Sequence, residues 1–380
     1  MTDELILKNA KIVTPSEVVE GNVRICGGVV DAIHSGASST PAALDMDGDY
    51  LIPGLVDIHT DNLERHIMPR TTAEWPVMAA VVAHDAQVAA AGITTVLDAL
   101  CVGTMGNGVR SFEKVKESAA MIDAGKRNRM FRSEHLLHLR TELTNEETPG
   151  MFAQLYEHSD VVLVSLMDHT PGQRQWADLE KYIAMERRDY KLSEEEIRES
   201  LRKFQEHQQK YAQPNRRELL SMMSGRSIVL ASHDDTTIEH VEEAHTDGIA
   251  ISEFPTTAIA ARAARERGMH IVGGSPNLVL GRSHSGNVAV AELAGLGLVD
   301  VLASDYVPSS LLYGAFLLSA NQGLPLHETL KMVTLHPAQL VGLHDRGSIT
   351  PGKRADLVRV RMFDENPLVT TVWRSGERVA

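Results

Sequence analysis

The sequence predicts an α/β protein: a (β/α)8 barrel of the TIM type, carrying a small composite β-sandwich domain built from both termini. Three observations lead there. Between about residues 53 and 346, short apolar runs alternate with helix-like stretches, the texture of parallel βαβ units. Residues 1–52 and 347–380 have a different texture, with short β-rich runs separated by glycine turns. A length of 380 residues exceeds what one small core fills, and it suits one large barrel with an appended domain.

Composition bounds the function. Hydrophobic residues make up 43% and charged residues 23%, as in a globular chain. A net charge of -14, from 37 basic against 51 acidic residues, argues against broad binding to nucleic acid or to anionic membranes. It leaves room for a small basic pocket. Cys26 and Cys101 lack CxxC spacing, which suggests a reducing compartment without a disulfide framework. The acidic start Met1-Thr2-Asp3-Glu4 has no basic n-region, so a cytoplasmic location is expected, and no apolar run reaches membrane-spanning length. The sequence leaves a homo-oligomer open.

Taken in order, Leu5-Ile6-Leu7, Lys11-Ile12-Val13, Asn22 to Cys26 and Val29 to Ile33 read as N-terminal strands. Asp356 to Val360 and Val369 to Trp373 read as their C-terminal counterparts, and pairing of the two ends into one sheet is expected because isolated hairpins are marginal. Eight runs follow as barrel strands: Leu55 to Ile58, Thr94 to Asp98, Leu136 to Arg140, Val161 to Leu166, Ser227 to Ala231, Ile249 to Ser252, His270 to Gly273 and Val301 to Ser304. Residues 173–217 break this rhythm. They are strongly polar and read as a helical insertion after the fourth strand, either a lid or a solvated helical pair.

Chemistry-bearing residues recur where these strands end. His59 and Asp61 follow the first strand with the period-two spacing that turns two side chains to one face. Glu142 follows the third, Asp168-His169 the fourth, His233-Asp234 the fifth, Glu253 the sixth and Asp305 the eighth. Imidazoles and carboxylates at one mouth suit a pair of divalent ions such as Zn, Mn or Fe, which make a water nucleophilic at neutral pH. The expected ligands are His59, Asp61, Glu142, His169, His233 and Asp305, with Glu142 as the bridge and Asp305 also as the catalytic proton acceptor. Asp168 and Glu253 stay open as ligands, and Asp168 and Asp234 as groups that orient neighbouring imidazoles. A second set, Arg70, Arg140, Gln173, Arg174, Arg282, His284 and Asn287, offers guanidinium forks, amides and a Gly-rich loop to a phosphorylated small-molecule substrate.

Pro53-Gly54-Leu55-Val56-Asp57-Ile58-His59 and Gly352-Lys353-Arg354-Ala355-Asp356-Leu357-Val358 resemble the amidohydrolase superfamily. Longer stretches narrow the likeness: His59 to Glu64, Ser165 to Gln175, Ala231 to Asp235, Glu253 to Thr257 and Ser283 to Asn287 resemble its branch of ribosyl-triphosphate diphosphatases of phosphonate catabolism. The resemblance implies a metal-bearing barrel with a β-domain from both termini. It also implies metal-dependent hydrolysis of a 1-methylphosphonate ribose 5-triphosphate to pyrophosphate and the 5-phosphate. Two departures stand out. Asp61 occupies the second place of the usual His-x-His, and Glu142, His169 and His233 come one strand early. The other activities in view are a superfamily hydrolase acting on an amide or ring, and a metal-containing subunit without turnover.

Overall fold

The computed structural model describes residues 4–38, 40–70, 73–104, 110–283 and 285–380. The chain forms two compact units, Met1–Asp98 with Met121–Leu136 and Val301–Ala380, and Ala99–Ala120 with Leu137–Asp300.

In the first unit the two chain ends build one mixed sheet. β1 (Glu4–Val13), β2 (Val18–Cys26) and β3 (Val29–Ser35) run antiparallel, while β4 (Leu44–Asp45) and β5 (Tyr50–Pro53) lie parallel to β1. From the C-terminus, β14 (Leu357–Phe363) pairs antiparallel with β5, and β15 (Asn366–Arg374) and β16 (Glu377–Arg378) follow it outward. Leu7, Ile12, Val23, Ile25, Leu51, Leu357 and Trp373 share its buried core. The two runs read from the sequence as separate strands, Leu5 to Leu7 and Lys11 to Val13, are one strand. Its register shifts between Leu7 and Ala10, where Asn9 takes a φ of 57°. Asn tolerates the left-handed region better than most residues, so one bulge replaces the turn that the sequence suggests.

The Gly352 to Val358 motif acts as a joint in this unit. Arg354 pairs with Glu134 at 2.5 Å and also with Asp356, whose carbonyl accepts from Gly54 N–H at 2.8 Å and whose carboxylate accepts from Ser375 N–H at 2.8 Å.

The barrel strands are β6 (Leu55–Thr60), β7 (Ile93–Val102), β8 (Glu134–Glu142), β9 (Val161–Met167), β10 (Val229–His233), β11 (Ile251–Glu253), β12 (His270–Gly274) and β13 (Val301–Ala303), hydrogen-bonded in sequence order. Every residue of β6 and β7 is buried, as expected for parallel strands covered on both faces. Just past β13, Thr60 and Asp305 form a parallel bridge that brings the first strand beside the last. Asp61 N–H donates to the Asp305 carbonyl at 2.7 Å, and Asp305 N–H to the His59 carbonyl at 3.0 Å.

The polar insertion is helical and extends beyond the predicted residue 217. Its helices are Leu179–Met185, Glu194–His207 and Gln213–Met223. Ser193 and Glu196 form a reciprocal capping box on the middle one, which buries only Ile197. Its ion pairs, Arg198 with Glu194 and Arg202 with Glu199, lie on the exposed face.

Candidate metal centre

In the first unit, ligand atoms of His59, Asp61 and Asp305 lie within 4.8 Å of one another. His59 is fully buried on β6, and its Nε2 is 3.8 Å from Asp61 Oδ1. That distance is too long for a hydrogen bond and matches two donors each about 2.0–2.2 Å from a shared cation. The backbone around them is fixed. Asp57 Oδ1 accepts from the N–H groups of His59 at 3.3 Å and Ser304 at 3.1 Å, and Asp57 Oδ2 from the Ser304 hydroxyl at 2.5 Å. Burial pushes the Asp57 carboxyl up to about 6, against the pull of the Ser304 hydrogen bonds. Asp305 holds a φ of 54°, a conformation that costs about 1–3 kcal/mol and collects at functional sites.

In the second unit, His169, His233 and Asp234 offer ligand atoms within 4.8 Å of one another. His233 Nε2 is 3.4 Å and His169 Nε2 3.9 Å from Asp234 Oδ2. Carboxylates hold the opposite ring nitrogens. Glu142 Oε2 stands 2.7 Å from His169 Nδ1, and Glu253 Oε2 stands 2.7 Å from His233 Nδ1. Burial pulls the His169 pKa down, but the Glu142 carboxylate outweighs it and holds the ring above its ordinary value. Loss of that ring proton would turn Nδ1 and Oε2 into two donors for one cation. Glu253 also accepts from Ser165 Oγ at 2.8 Å, and Ser165 Oγ is 2.6 Å from His138 Nε2. A carboxylate that fixes a ligand imidazole from behind is the usual support of a metal site. In each unit the donor set therefore fits a divalent cation.

Asp168, left open by the sequence, turns elsewhere. It accepts from Gln208 Nε2 at 2.8 Å and from Thr170 N–H at 3.0 Å. Burial raises its pKa, but these hydrogen bonds, with Thr170 and Gln208 foremost, hold it below the ordinary range.

The expected anion-binding residues differ in exposure and partners. Arg70 and Arg282 are exposed, and His284 lies outside the described residues. Arg140 is buried, with Nη1 3.6 Å from Cys101 Sγ. Gln173 is half-buried beside Asp168, and Asn287 Nδ2 donates to the Gln175 carbonyl at 3.3 Å. Arg174, expected as a substrate fork, is held by the protein at Nη1. It is 7% exposed and donates to the His233 carbonyl at 2.9 Å and to Asp235 at 3.0 Å. Asp235 also accepts from the hydroxyls of Ser252, at 2.8 Å, and Ser232. Burial opposite a carboxylate engages this guanidinium with the protein, where it braces the turn after His233.

The sequence reading passed over one further constellation, in the first unit. Asn62 Nδ2 donates to His84 Nδ1 at 2.9 Å, so the His84 proton sits on Nε2, which donates to Asp98 at 2.8 Å. His135 donates from Nδ1 to Asp98 at 2.7 Å and from Nε2 to Asp85 at 3.3 Å. All four titratable side chains are fully or almost fully buried. The sequence held a signal for it: His84 and Asp85 lie on the buried face of helix Val77–Ala90 with Val77, Ala80, Val81 and Val88.

Comparison with known proteins follows the same lines. The profile of the amidohydrolase family matches residues 50–379. The alpha-D-ribose 1-methylphosphonate 5-triphosphate diphosphatase of Escherichia coli K12 is 43% identical, over 99% of this chain and 100% of its own. An imidazolonepropionase of Paracoccus denitrificans is 31% identical over 37% of this chain and 33% of its own. Among solved structures, N-acetyl-D-glucosamine-6-phosphate deacetylase from Mycobacterium smegmatis aligns over 99% of this chain and 100% of its own, at 16% identity and a TM-score of 0.63. A 5-methylcytosine deaminase from Klebsiella pneumoniae aligns over 99% and 97%, at 14% identity and a TM-score of 0.65. At such identities these two likenesses concern the fold alone.

Proposed function

We infer the reaction from one premise: this chain belongs to the amidohydrolase family. It is a hydrolase acting on an acid anhydride, and its reaction is cleavage of alpha-D-ribose 1-methylphosphonate 5-triphosphate to pyrophosphate and the 5-phosphate, a step in phosphonate catabolism. The observation that carries this reading is the full-length likeness, at 43% identity, to the Escherichia coli diphosphatase.

The family typically uses divalent metals. We assign one cation position to His59, Asp61 and Asp305, and a second to Glu142, His169 and His233 with Asp234 alongside. Divalent ions held there lower the pKa of a water and offset charge on phosphate oxygens. The chain's own part is to orient and to move the proton. Asp305, its backbone clamped by His59 and Asp61, accepts the proton of the attacking water at its carboxylate. Water oxygen bonds to the phosphorus next to the ribose, the anhydride bond to the next phosphorus breaks, and pyrophosphate leaves with that bond's electron pair. Glu253 keeps the His233 imidazole aimed while charge shifts.

Among the described residues, no helix is long and apolar enough to cross a membrane. A reducing cytoplasm fits Cys26 and Cys101 as thiols.

Hydrolysis in ¹⁸O-labelled water tests the reading. Metal-loaded protein should release pyrophosphate from the ribosyl triphosphate and place the label in the ribosyl 5-phosphate. Label in pyrophosphate, or no pyrophosphate at all, would overturn it.

A further inference from the structure

A triphosphate brings several negative charges to a chain of net charge -14, so its terminal phosphates need a cation that the metal ligands do not provide. One lysine is placed for this in the second unit. Lys181, in the helix Leu179–Met185, lays its side chain over Gly286. A Cβ at Gly286 would come within 3.2 Å of Lys181 Cε and 3.3 Å of Cδ, and closer still to the ammonium. Gly286 takes a φ of 79°, so the absence of a side chain serves both the turn and the ammonium.

Beside it, Ser285 is 6% exposed, and its Oγ meets no hydrogen-bond partner among the described residues. A buried hydroxyl without a partner costs stability unless a ligand completes it. The competing anion is weak. Asp178 Oδ2 is 3.4 Å from Lys181 Nζ, both side chains are about half exposed, and Asp178 Oδ1 already caps the helix by accepting from Lys181 N–H at 3.2 Å.

The segment reaches the metal-ligand set at its other end. Arg174 donates to the His233 carbonyl at 2.9 Å, and the next residue, Gln175, accepts from Asn287 at 3.3 Å. Gly286 and Ser285, next to Asn287, are therefore tied through Gln175 and Arg174 to the backbone of a candidate metal ligand.

We propose that Lys181, resting on Gly286 beside the Ser285 hydroxyl, forms the subsite for the terminal phosphates, the pyrophosphate portion of the substrate. This rests on the triphosphate reading above. The Lys181 ammonium exchanges Asp178 for a phosphate oxygen, and Ser285 Oγ donates to a second one.

Calorimetric titration of the metal-loaded protein with inorganic pyrophosphate, alongside steady-state kinetics on the ribosyl triphosphate, tests it. Lys181→Met should weaken pyrophosphate binding and raise KM by about 10–100-fold, the range for a charge-assisted hydrogen bond. Lys181→Arg should recover most of the loss, and Ser285→Ala should show a smaller loss of pyrophosphate affinity. Unchanged pyrophosphate affinity in Lys181→Met would overturn the subsite. If the wild type turns over no ribosyl triphosphate, the reaction assignment falls instead, and the titration still decides whether the site takes pyrophosphate.

Discussion

His135 Nδ1 stands 2.7 Å from Asp98 Oδ2, with both side chains cut off from solvent. Since Nε2 of the same ring faces Asp85, both nitrogens donate and the ring is an imidazolium. Burial alone pulls the His135 pKa down, but Asp98 and Asp85 together raise it to about 9. An unfolded histidine titrates near about 6.5. The contribution is therefore complete below about 6.5 and is lost as pH rises towards 9, at no more than about 1.4 kcal/mol per pH unit. The partner acts in the opposite sense: burial raises the Asp98 pKa, but His135 outweighs it and sets it below its ordinary value, so stability falls again on acidification. Denaturant melts between pH 6 and 9.5 should show this alkaline loss in the wild type. Asp98→Asn should lower stability by about 3–5 kcal/mol at pH 7 and flatten the alkaline slope. An unaltered slope in that variant would remove the pair from the account.

The sequence made the barrel legible because strands buried on both faces leave short apolar runs that stop at polar residues, and all eight such runs are strands. His59 and Asp61 were readable for a local reason, two residues on one strand end. The supporting pairs were not, because sheet neighbours rather than sequence neighbours make them. Glu253 meets His233 across 20 residues and Ser165 across 88. Asp98 looked like nothing more than the end of a strand, since His84 and His135 reach it from 14 and 37 residues away. The placement of Arg174 was hidden for a related reason: its partners, the His233 carbonyl and Asp235, lie 59 and 61 residues away.

Glu253 gives a test of the second cation position. Its carboxylate accepts at Oε2 from Ser165 and faces His233 Nδ1, which leaves His233 Nε2 turned towards Asp234. Glu253→Gln keeps the shape but weakens that hold on the ring. Metal retained after dialysis against a graded chelator should then show an affinity about 10–100-fold lower, the usual cost of losing such a partner. Retention equal to wild type would show that the carboxylate is not needed to aim His233.

Asp305 is assigned both as a metal ligand and as the proton acceptor, so its variant is read by rate and metal content together. Asp305→Asn preserves the backbone bridge to Thr60 and the hydrogen bonds to His59 and Asp61, which run through main-chain atoms. It removes the group that accepts the water's proton. Pyrophosphate release should fall by about 100- to 10,000-fold in kcat. A rate within a few-fold of wild type, with metal retained, would assign the proton acceptor elsewhere.

Arg174 distinguishes a substrate contact from a structural brace. If its fork gripped phosphate, Arg174→Lys would raise KM and leave the melting temperature near wild type. The observed contacts predict the reverse. Asp235 is fully buried, and the Ser232 and Ser252 hydroxyls alone do not neutralise its charge. Arg174 Nη1 makes both bonds, to Asp235 and to the His233 carbonyl, while Nη2 lies 3.9 Å from Glu243; lysine carries the charge on a single nitrogen and drops the second contact. Arg174→Met leaves the carboxylate buried and unpaired, a loss of about 3–5 kcal/mol. Thermal melts of both variants should show marked destabilisation, largest for Arg174→Met, and metal retention should fall because His233 loses the brace on its carbonyl. A rise in KM at wild-type stability would restore Arg174 to the substrate side.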